Sequence, residues 1–131
     1  MYAIKEAARR SGLKATTIRF YEAKGLVPSP ERASNGRRLY SDKDVQRLIF
    51  IRHGRSFGFD LTQLQSLLNL SDHPDQPCGT AILIAKSHLV EVNQQLRQLS
   101  VLKEELTKLV KTCVGGKSAQ CGVIRSLAEK N

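Results

Sequence analysis

The sequence predicts a mainly α-helical protein, and three observations support this fold class. Residues 80–112 contain neither Pro nor Gly, and their apolar side chains recur at steps of three and four residues, which is typical of an amphipathic helix. Near the N-terminus, two short helical patterns are separated by Ser11-Gly12, and Asn35-Gly36 predicts a hairpin after them. These patterns divide the chain into residues 1–70, a connector at 71–79, a long helix at 80–112, and a loop with a short helix at 113–131.

The first two predicted helices run from Ile4 to Arg10 and from Ala15 to Ala23. Two short helices joined by a Gly-containing turn form a helix-turn-helix, which places its second helix in the major groove of DNA. Helical hairpins that bind nothing share this pattern, so the motif alone does not establish DNA binding. The side chains here that can reach phosphates or base edges are Lys14, Thr16, Thr17 and Arg19.

A hairpin is predicted after the second helix. Pro28 and Pro30 favour an extended exit from that helix. Asn35-Gly36 is expected to supply the positive φ angles of a tight hairpin turn. Arg37 and Arg38 follow the turn, so we expect a basic wing that can lie on a sugar–phosphate backbone.

Two further helices are predicted before residue 70. Ser41 and Asp44 fit a capping box for a helix that ends near Arg55, and Asp60 fits the cap of a helix from Leu61 to Asn69. The apolar side chains expected in the core are Val45, Leu48, Ile49, Ile51, Leu61, Leu64, Leu67 and Leu68. Basic side chains on the earlier helix either contact phosphates or form a solvated face, and both interpretations stay open for Arg47, Arg52, His53 and Arg55.

The long helix has one narrow apolar seam, and its other faces are polar. A seam this narrow and long is typical of a coiled-coil dimer. The alternative is a core helix in a monomeric bundle, which is less favoured because 131 residues provide few other helices to cover it. The seam consists of Ile82, Ala85, Leu89, Val92, Leu96, Leu99, Leu102, Leu106 and Leu109.

Three cysteines flank the long helix. A helical rise of about 1.5 Å per residue puts Cys78 and Cys113 roughly 50 Å apart in one subunit. These two thiols therefore cannot share a ligand within one chain. In an antiparallel dimer, Cys78 of one subunit would meet Cys113 and Cys121 of the partner subunit, and two-fold symmetry would produce two identical three-thiol sites.

Charge predicts a polyanionic partner. The formal net charge is +9, with a pI near 9.8. Residues 1–70 contain 13 Lys and Arg against 6 Asp and Glu, whereas residues 71–131 contain 8 against 6. The basic character therefore lies mostly in the half that contains the helix-turn-helix.

Composition also excludes several classes of protein. No apolar run reaches the roughly eighteen residues of a membrane span and no signal peptide is recognised, so we expect a cytoplasmic protein without a membrane partner. An odd number of cysteines argues against a disulfide framework in that compartment. No nucleophile–base pair or carboxylate pair suggests catalysis, so we expect no enzymatic activity.

Three motifs together strongly resemble the MerR family of transcription regulators. They are Ile4-Lys5-Glu6-Ala7-Ala8, the run from Thr17 to Leu26 (TIRFYEAKGL), and Asn35-Gly36-Arg37-Arg38-Leu39-Tyr40. The resemblance covers essentially the whole chain. It implies a winged helix-turn-helix, a second helix pair, a long antiparallel dimerisation helix and a C-terminal metal-binding loop. By position, the recognition-helix residues are Thr17, Arg19 and Tyr21, and the wing residues are Arg37, Arg38 and Tyr40.

The resemblance also implies a mechanism. A homodimer sits on double-stranded promoter DNA whose spacer is too long for productive engagement by RNA polymerase on the same promoter. Metal binding shifts the dimer so that the spacer is bent and untwisted, which realigns the promoter elements. Such switching relies on DNA deformation energy, so the protein can activate transcription without leaving its site.

The cysteines match the metal-sensing members of the family. Sensors of monovalent copper are similar but carry Ser where this chain has Cys78. Zinc sensors have a second Cys at the position of Val114 and a His within the loop, and this chain has neither. Soft sulfur ligands and a third thiolate therefore favour a divalent soft ion bound by Cys78, Cys113 and Cys121. We expect Cd²⁺ or Pb²⁺ first, then Zn²⁺, then Hg²⁺, because Zn²⁺ usually takes four ligands.

Other interpretations of these residues remain open. A redox sensor would form a reversible disulfide between Cys113 and Cys121. A multidrug-type regulator usually has a larger ligand domain, which we do not expect here. Among the histidines, His73 is a candidate fourth donor to the metal, whereas we assign His88 a structural or exposed position and His53 to the basic helix.

Overall fold

The computed structural model describes residues 1–112 and 121–129 and is mainly α-helical, as predicted. The chain forms two compact units, residues 1–84 and residues 85–131. Its elements, in order, are α1 (Ile4–Ser11), α2 (Ala15–Ala23), β1 (Glu31–Arg32), β2 (Arg38–Leu39), α3 (Asp42–Ser56), α4 (Leu61–Asp72), α5 (Gly79–Thr112) and α6 (Gly122–Glu129).

The first two helices form the predicted helix-turn-helix. Gly12 ends α1 with a φ of +76°, and its N–H donates to the Ala8 carbonyl at 2.9 Å. Only glycine adopts this left-handed conformation without strain, so Gly12 fixes the turn between the helices. The Leu13 N–H donates to the Ser11 hydroxyl at 3.3 Å, which satisfies a second polar group in the turn.

A single hydrophobic core holds the first unit together. It draws side chains from α1, α2, α3, α4 and the segments beside the hairpin, so each short helix buries one face against the others. Most of the predicted inward faces of α1, α3 and α4 are buried in this core or pack against it while half-buried, as Ile4, Ala8, Ile49 and Leu61 do. Leu67 is half-buried and is not part of this cluster. The buried hydrophobic residues are Ala7, Ile18, Tyr21, Leu26, Val27, Tyr40, Val45, Leu48, Ile51, Leu64 and Leu68.

The hairpin forms where it was predicted, but its turn differs. Glu31 pairs with Leu39, and Arg32 pairs with Arg38 in an antiparallel register. Of the two turn residues, only Gly36 has a positive φ, at +82°. The expectation of a positive φ at Asn35 was wrong, because five residues separate the strands and a turn of that length requires only one left-handed residue.

Capping boxes begin both α3 and α4, where the sequence predicts a capping box at Ser41 and a cap at Asp60. The Ser41 hydroxyl accepts from the Asp44 N–H, and the Asp60 carboxylate accepts from the Gln63 N–H. Helix α4 continues to Asp72, three residues beyond the predicted end at Asn69. Asp72 pairs with Arg47 of α3 at 2.8 Å, and this tertiary contact extends the helix.

Helix α5 is one uninterrupted helix of 34 residues, in agreement with the long amphipathic pattern. The Ile82 N–H donates to the Cys78 carbonyl at 3.1 Å, so the chain enters the helix directly after that cysteine. No α5 side chain is buried. Within the described part of the chain, no helix is both long and apolar enough to cross a bilayer.

Candidate functional site

Packing against the core determines which face of α2, the predicted recognition helix, is exposed to solvent. Ile18 and Tyr21 are buried in the core, at 0% and 6% exposure. Because these residues define the inner face, Thr16 and Arg19 lie on exposed parts of the helix. The packing of α2 therefore determines which side chains are available to a ligand.

A basic groove of about 470 Å³ lies beside α2, between the start of α1 and the hairpin wing. Several of its lining residues carry a positive charge at neutral pH. Such a concentration of cations in one concavity attracts a polyanion such as the phosphate backbone of DNA. The basic lining residues are Lys5, Arg19, Arg32, Arg37 and Arg38.

Glu22 of α2 holds the wing against the recognition helix. The Tyr40 hydroxyl donates a hydrogen bond to the Glu22 carboxylate, and Arg38 Nε lies 3.2 Å from the other oxygen of that carboxylate. Burial raises the pKa of Tyr40 above its usual value, and the hydrogen bond to Glu22 raises it further. Tyr40 therefore remains protonated, and a hydrogen-bond donor, to a higher pH than an ordinary tyrosine.

The predicted DNA-binding residues have different environments. Two of them lie in the core, since Tyr21 is 6% exposed and Tyr40 is fully buried. Thr17 and Arg38 are half-buried. The exposed members are Lys14, Thr16, Arg19 and Arg37.

Lys5 and Arg32 line the basic groove although no sequence signal identified them. Lys5 lies on α1, and Arg32 is held at the wing because its guanidinium donates to the Gly36 carbonyl at 2.8 Å. Lys5 and Arg19 are 14 positions apart in sequence and meet only in the folded unit. Only the folded structure could reveal these two cations.

The basic residues of α3 make different contacts. Arg47 is engaged internally by the Leu26 carbonyl and Asp72, and Arg55 donates to the Phe59 carbonyl at 3.1 Å. Arg52 packs its side chain over the Gly12 turn. The internal bonds support a structural role for Arg47 and Arg55.

Two of the three cysteines lie among the described residues, each directly before a helix. Cys78 is exposed just before α5, and Cys121 is half-buried just before α6. Cys113 lies outside the described residues. Among residues 1–112 and 121–129, no three His, Cys, Asp or Glu side chains of the single chain come together as a metal site.

Cys121 is positioned by close packing of α6 on the end of α5. A Cβ on Gly122 would lie 2.5 Å from the Thr112 hydroxyl oxygen, so only glycine permits this approach without a shift. The Thr112 hydroxyl donates to the Leu109 carbonyl at 2.8 Å. The cysteine is thereby held beside the last turn of the long helix.

The histidines make local contacts. His73 lies five positions before Cys78 in the sequence. Its ring nitrogen Nδ1 is 2.8 Å from the Asn69 carbonyl oxygen. His88 Nδ1 lies 3.6 Å from the Glu91 carboxylate one turn further along α5. The Asn69 contact leaves only Nε2 of His73 for a metal.

The fold and the basic groove define a DNA-binding protein of the winged helix-turn-helix class. Residues 2–70 match the family described as "MerR HTH family regulatory protein", and residues 45–109 match "MerR, DNA binding". The chain belongs to the MerR family. Its relatives are DNA-binding transcription regulators and not enzymes, which confirms the expected class of activity.

Relatives with similar sequences are named as regulators. A "probable heavy metal-dependent transcriptional regulator" of Haemophilus influenzae is 36% identical over 95% of this chain and 97% of its own. The regulator HmrR of Rhizobium leguminosarum is also 36% identical, over 96% of this chain and 97% of its own. These similarities support assignment to the metal-responsive branch of the family.

One solved structure shares the fold along almost the whole chain. The transcription regulator PbrR691 of Ralstonia metallidurans CH34, in complex with lead(II), has a TM-score of 0.84 and 35% identity. The similarity covers 97% of this chain and 99% of that one. Almost all of this chain therefore has a structural counterpart in a lead-bound regulator.

Proposed function

We propose that this protein is a metal-responsive homodimeric regulator of a heavy-metal resistance or efflux promoter in the cytoplasm. Each dimer binds double-stranded promoter DNA through α2 and the wing, on the same promoter as RNA polymerase. Without metal it represses, and with metal it activates by bending and untwisting the promoter spacer. The effector is a divalent soft ion bound by cysteines from both subunits.

The observation that carries this proposal is a single continuous helix, which Cys78 and Cys113 flank in the sequence. Helix α5 spans 34 residues, or about 50 Å at the usual helical rise, and Cys78 precedes its first residue. Cys113 follows its last residue in the sequence. An antiparallel partner would place Cys78 beside Cys113 and Cys121 of the partner subunit.

The exposed seam of α5 supports the dimer. Leu89, Leu96 and Leu99 are 58%, 59% and 60% exposed in the single chain. A soluble monomer rarely leaves such a continuous row of large apolar side chains in water. A second copy of the helix would bury this row by knobs-into-holes packing.

The three thiolates favour a particular group of metals. Sulfur ligands prefer soft ions, and three negative charges suit a divalent ion. The order we propose is Cd²⁺ or Pb²⁺, then Zn²⁺, then Hg²⁺, and the lead complex of the similar PbrR691 supports the first position. When bound, the ion would hold the connector of one subunit and the C-terminal segment of its partner together.

A mixed-dimer experiment tests the shared site directly. The first subunit carries Cys78→Ser, and the second carries Cys113→Ser and Cys121→Ser. Neither homodimer contains a complete site across the interface. The heterodimer, however, joins Cys78 of the second subunit with Cys113 and Cys121 of the first subunit.

Metal-induced transcription in vitro and metal binding are measured for all three dimers with Cd²⁺, Pb²⁺, Zn²⁺ and Hg²⁺. We expect no induction from either homodimer, operator binding from all three, and about half the metal stoichiometry in the heterodimer. Recovery of a site only in the heterodimer supports the trans arrangement. Full induction by the Cys78→Ser homodimer contradicts the three-thiol site, and induction by an oxidant without metal would favour a redox sensor.

A further inference from the structure

Arg47 makes two directed bonds that join separate parts of the first unit. Its Nε donates to the Leu26 carbonyl at 2.7 Å, and one terminal nitrogen donates to the Asp72 carboxylate at 2.8 Å. The Arg47 side chain is 16% exposed. The planar guanidinium therefore holds both acceptors in a fixed relation.

The first acceptor belongs to the exit of the recognition helix. Leu26 lies three positions after the end of α2 and is 1% exposed. Its N–H donates to the Tyr21 carbonyl at 3.0 Å. Arg47 therefore contacts backbone that is bonded directly to the helix we assign to the DNA major groove.

The second acceptor belongs to the end of α4. Leu64, Leu68 and Asp72 are four residues apart, so they lie along one side of that helix. The two leucines enter the core, and Asp72 continues the same side to Arg47. Helix α4 ends at Asp72, and residues 73–78 are all exposed.

The bond to Asp72 therefore lies at the last residue of α4, directly before the exposed segment that leads to Cys78. Six positions separate Asp72 from Cys78 in the sequence. This short segment is the covalent path from Cys78 to Asp72. Arg47 links Asp72 in turn to the recognition-helix exit.

We propose that Arg47 is a positioning residue that couples the metal site to the DNA-binding groove through its simultaneous bonds to Leu26 and Asp72. This inference rests on the proposed metal-responsive function and names the route by which metal binding reaches the DNA. The Asp72 side chain is 41% exposed, so solvent screens the ion pair and its loss has little effect on global stability. Variants at Asp72 are therefore expected to fold.

The test is in vitro transcription from the operator with and without Pb²⁺, using Asp72→Asn, Asp72→Glu and the control Asp75→Asn. Asp75 is an exposed acid in the same connector. We expect Asp72→Asn to lower the metal-induced increase in transcript at least fivefold. We expect Asp72→Glu to keep at least half of the increase, and Asp75→Asn to match the wild-type protein.

Two binding measurements separate coupling from simple damage. The metal-free operator Kd and the Pb²⁺ Kd of Asp72→Asn are expected to stay within twofold of wild type.

A double variant tests whether Arg47 and Asp72 act together. Arg47→Met combined with Asp72→Asn is expected to lose no more induction than Arg47→Met alone, because both changes break the same linkage.

Wild-type induction by Asp72→Asn overturns the coupling role and leaves the metal-responsive function standing. Loss of induction that is matched by equal loss of operator or metal affinity also overturns it. Equal loss in Asp75→Asn would assign the effect to connector charge instead. A wild-type protein that responds to no divalent soft metal would overturn the proposed function and the coupling together.

Discussion

The buried hydroxyl of Tyr40 donates a hydrogen bond to the carboxylate of Glu22, which joins the wing to the recognition helix. Arg38 approaches the same carboxylate at 3.2 Å. The Glu22 side chain on α2 thus contacts two residues at the C-terminal end of the wing, Arg38 and Tyr40. The spacing between Arg19 and the wing arginines depends on this carboxylate, because nothing else on α2 binds both Arg38 and Tyr40 in the described residues.

Replacing Glu22 with Ala is expected to weaken both folding and operator binding. The Glu22 side chain is 10% exposed, and the substitution leaves the Tyr40 hydroxyl without an acceptor in the core. We expect a loss of about 2 kcal/mol in the free energy of unfolding, measured by urea denaturation. Operator affinity, measured by fluorescence anisotropy below the unfolding transition, is expected to fall about tenfold.

Glu31→Ala is the matched control, because Glu31 is an exposed acid on β1 of the same wing. It should leave the free energy of unfolding nearly unchanged. Glu22→Gln retains an acceptor for Tyr40 and should fall between wild type and Glu22→Ala. Equal operator affinity in Glu22→Ala and Glu31→Ala would show that Glu22 does not position the wing.

Acid titration is expected to show an unusually acidic Glu6. The pKa of Glu6 is lowered to about 2, mainly by hydrogen bonds from Arg9 and to a smaller extent by Arg10. Because the folded pKa lies below the usual value of 4.5, the stabilising effect of Glu6 is present above about pH 4.5. It is lost as the pH falls through about 2.

Carboxyl chemical shifts in NMR titrations measure this directly. We expect Arg9→Gln to raise the pKa of Glu6 more than Arg10→Gln does, since Arg9 provides the larger effect. A titration midpoint near 4.5 in the wild-type protein would contradict the ion-paired geometry at the start of α1.

Lys5 is expected to contribute to the salt dependence of operator binding. It lines the basic groove, and a dimer would present two copies of it to the DNA. Each phosphate contact contributes about 0.9 to the slope of log affinity against log salt. Lys5→Ala should therefore reduce the magnitude of that slope by about 2 per dimer, with little change in sequence preference.

Lys86→Ala provides the control for charge alone, because Lys86 is an exposed lysine on α5. Slopes are measured from operator titrations at several KCl concentrations. Identical slopes for Lys5→Ala and wild type would remove Lys5 from the DNA interface, as would an equal decrease for Lys86→Ala.

Local signals in the sequence were sufficient for most of the fold. Ser11-Gly12, the capping box at Ser41 and the cap at Asp60 place helix ends correctly because caps and left-handed turns depend on neighbouring residues. The end of α4 was missed because a partner 25 positions away, Arg47, binds Asp72. Lys5 and Arg32 were missed for the same reason, since the groove is assembled from residues distant in sequence.

The seam of α5 provides the last prediction, because the proposed dimer and the proposed metal site both depend on it. Leu99 is 60% exposed on the seam, and Val101 is 55% exposed on a different face of the same helix. Leu99→Asp would bury a charge at each copy of the proposed interface, whereas Val101→Asp would place the same charge in water. Sedimentation at low micromolar concentration should show a monomer for Leu99→Asp and a dimer for Val101→Asp. Since the proposed three-cysteine site forms only across the dimer, the monomer should also lose three-thiolate binding of Pb²⁺, measured by its sulfur-to-lead charge-transfer absorption. A Leu99→Asp protein that stays dimeric would place the interface elsewhere, and a monomer with full absorption would show that one chain completes the site.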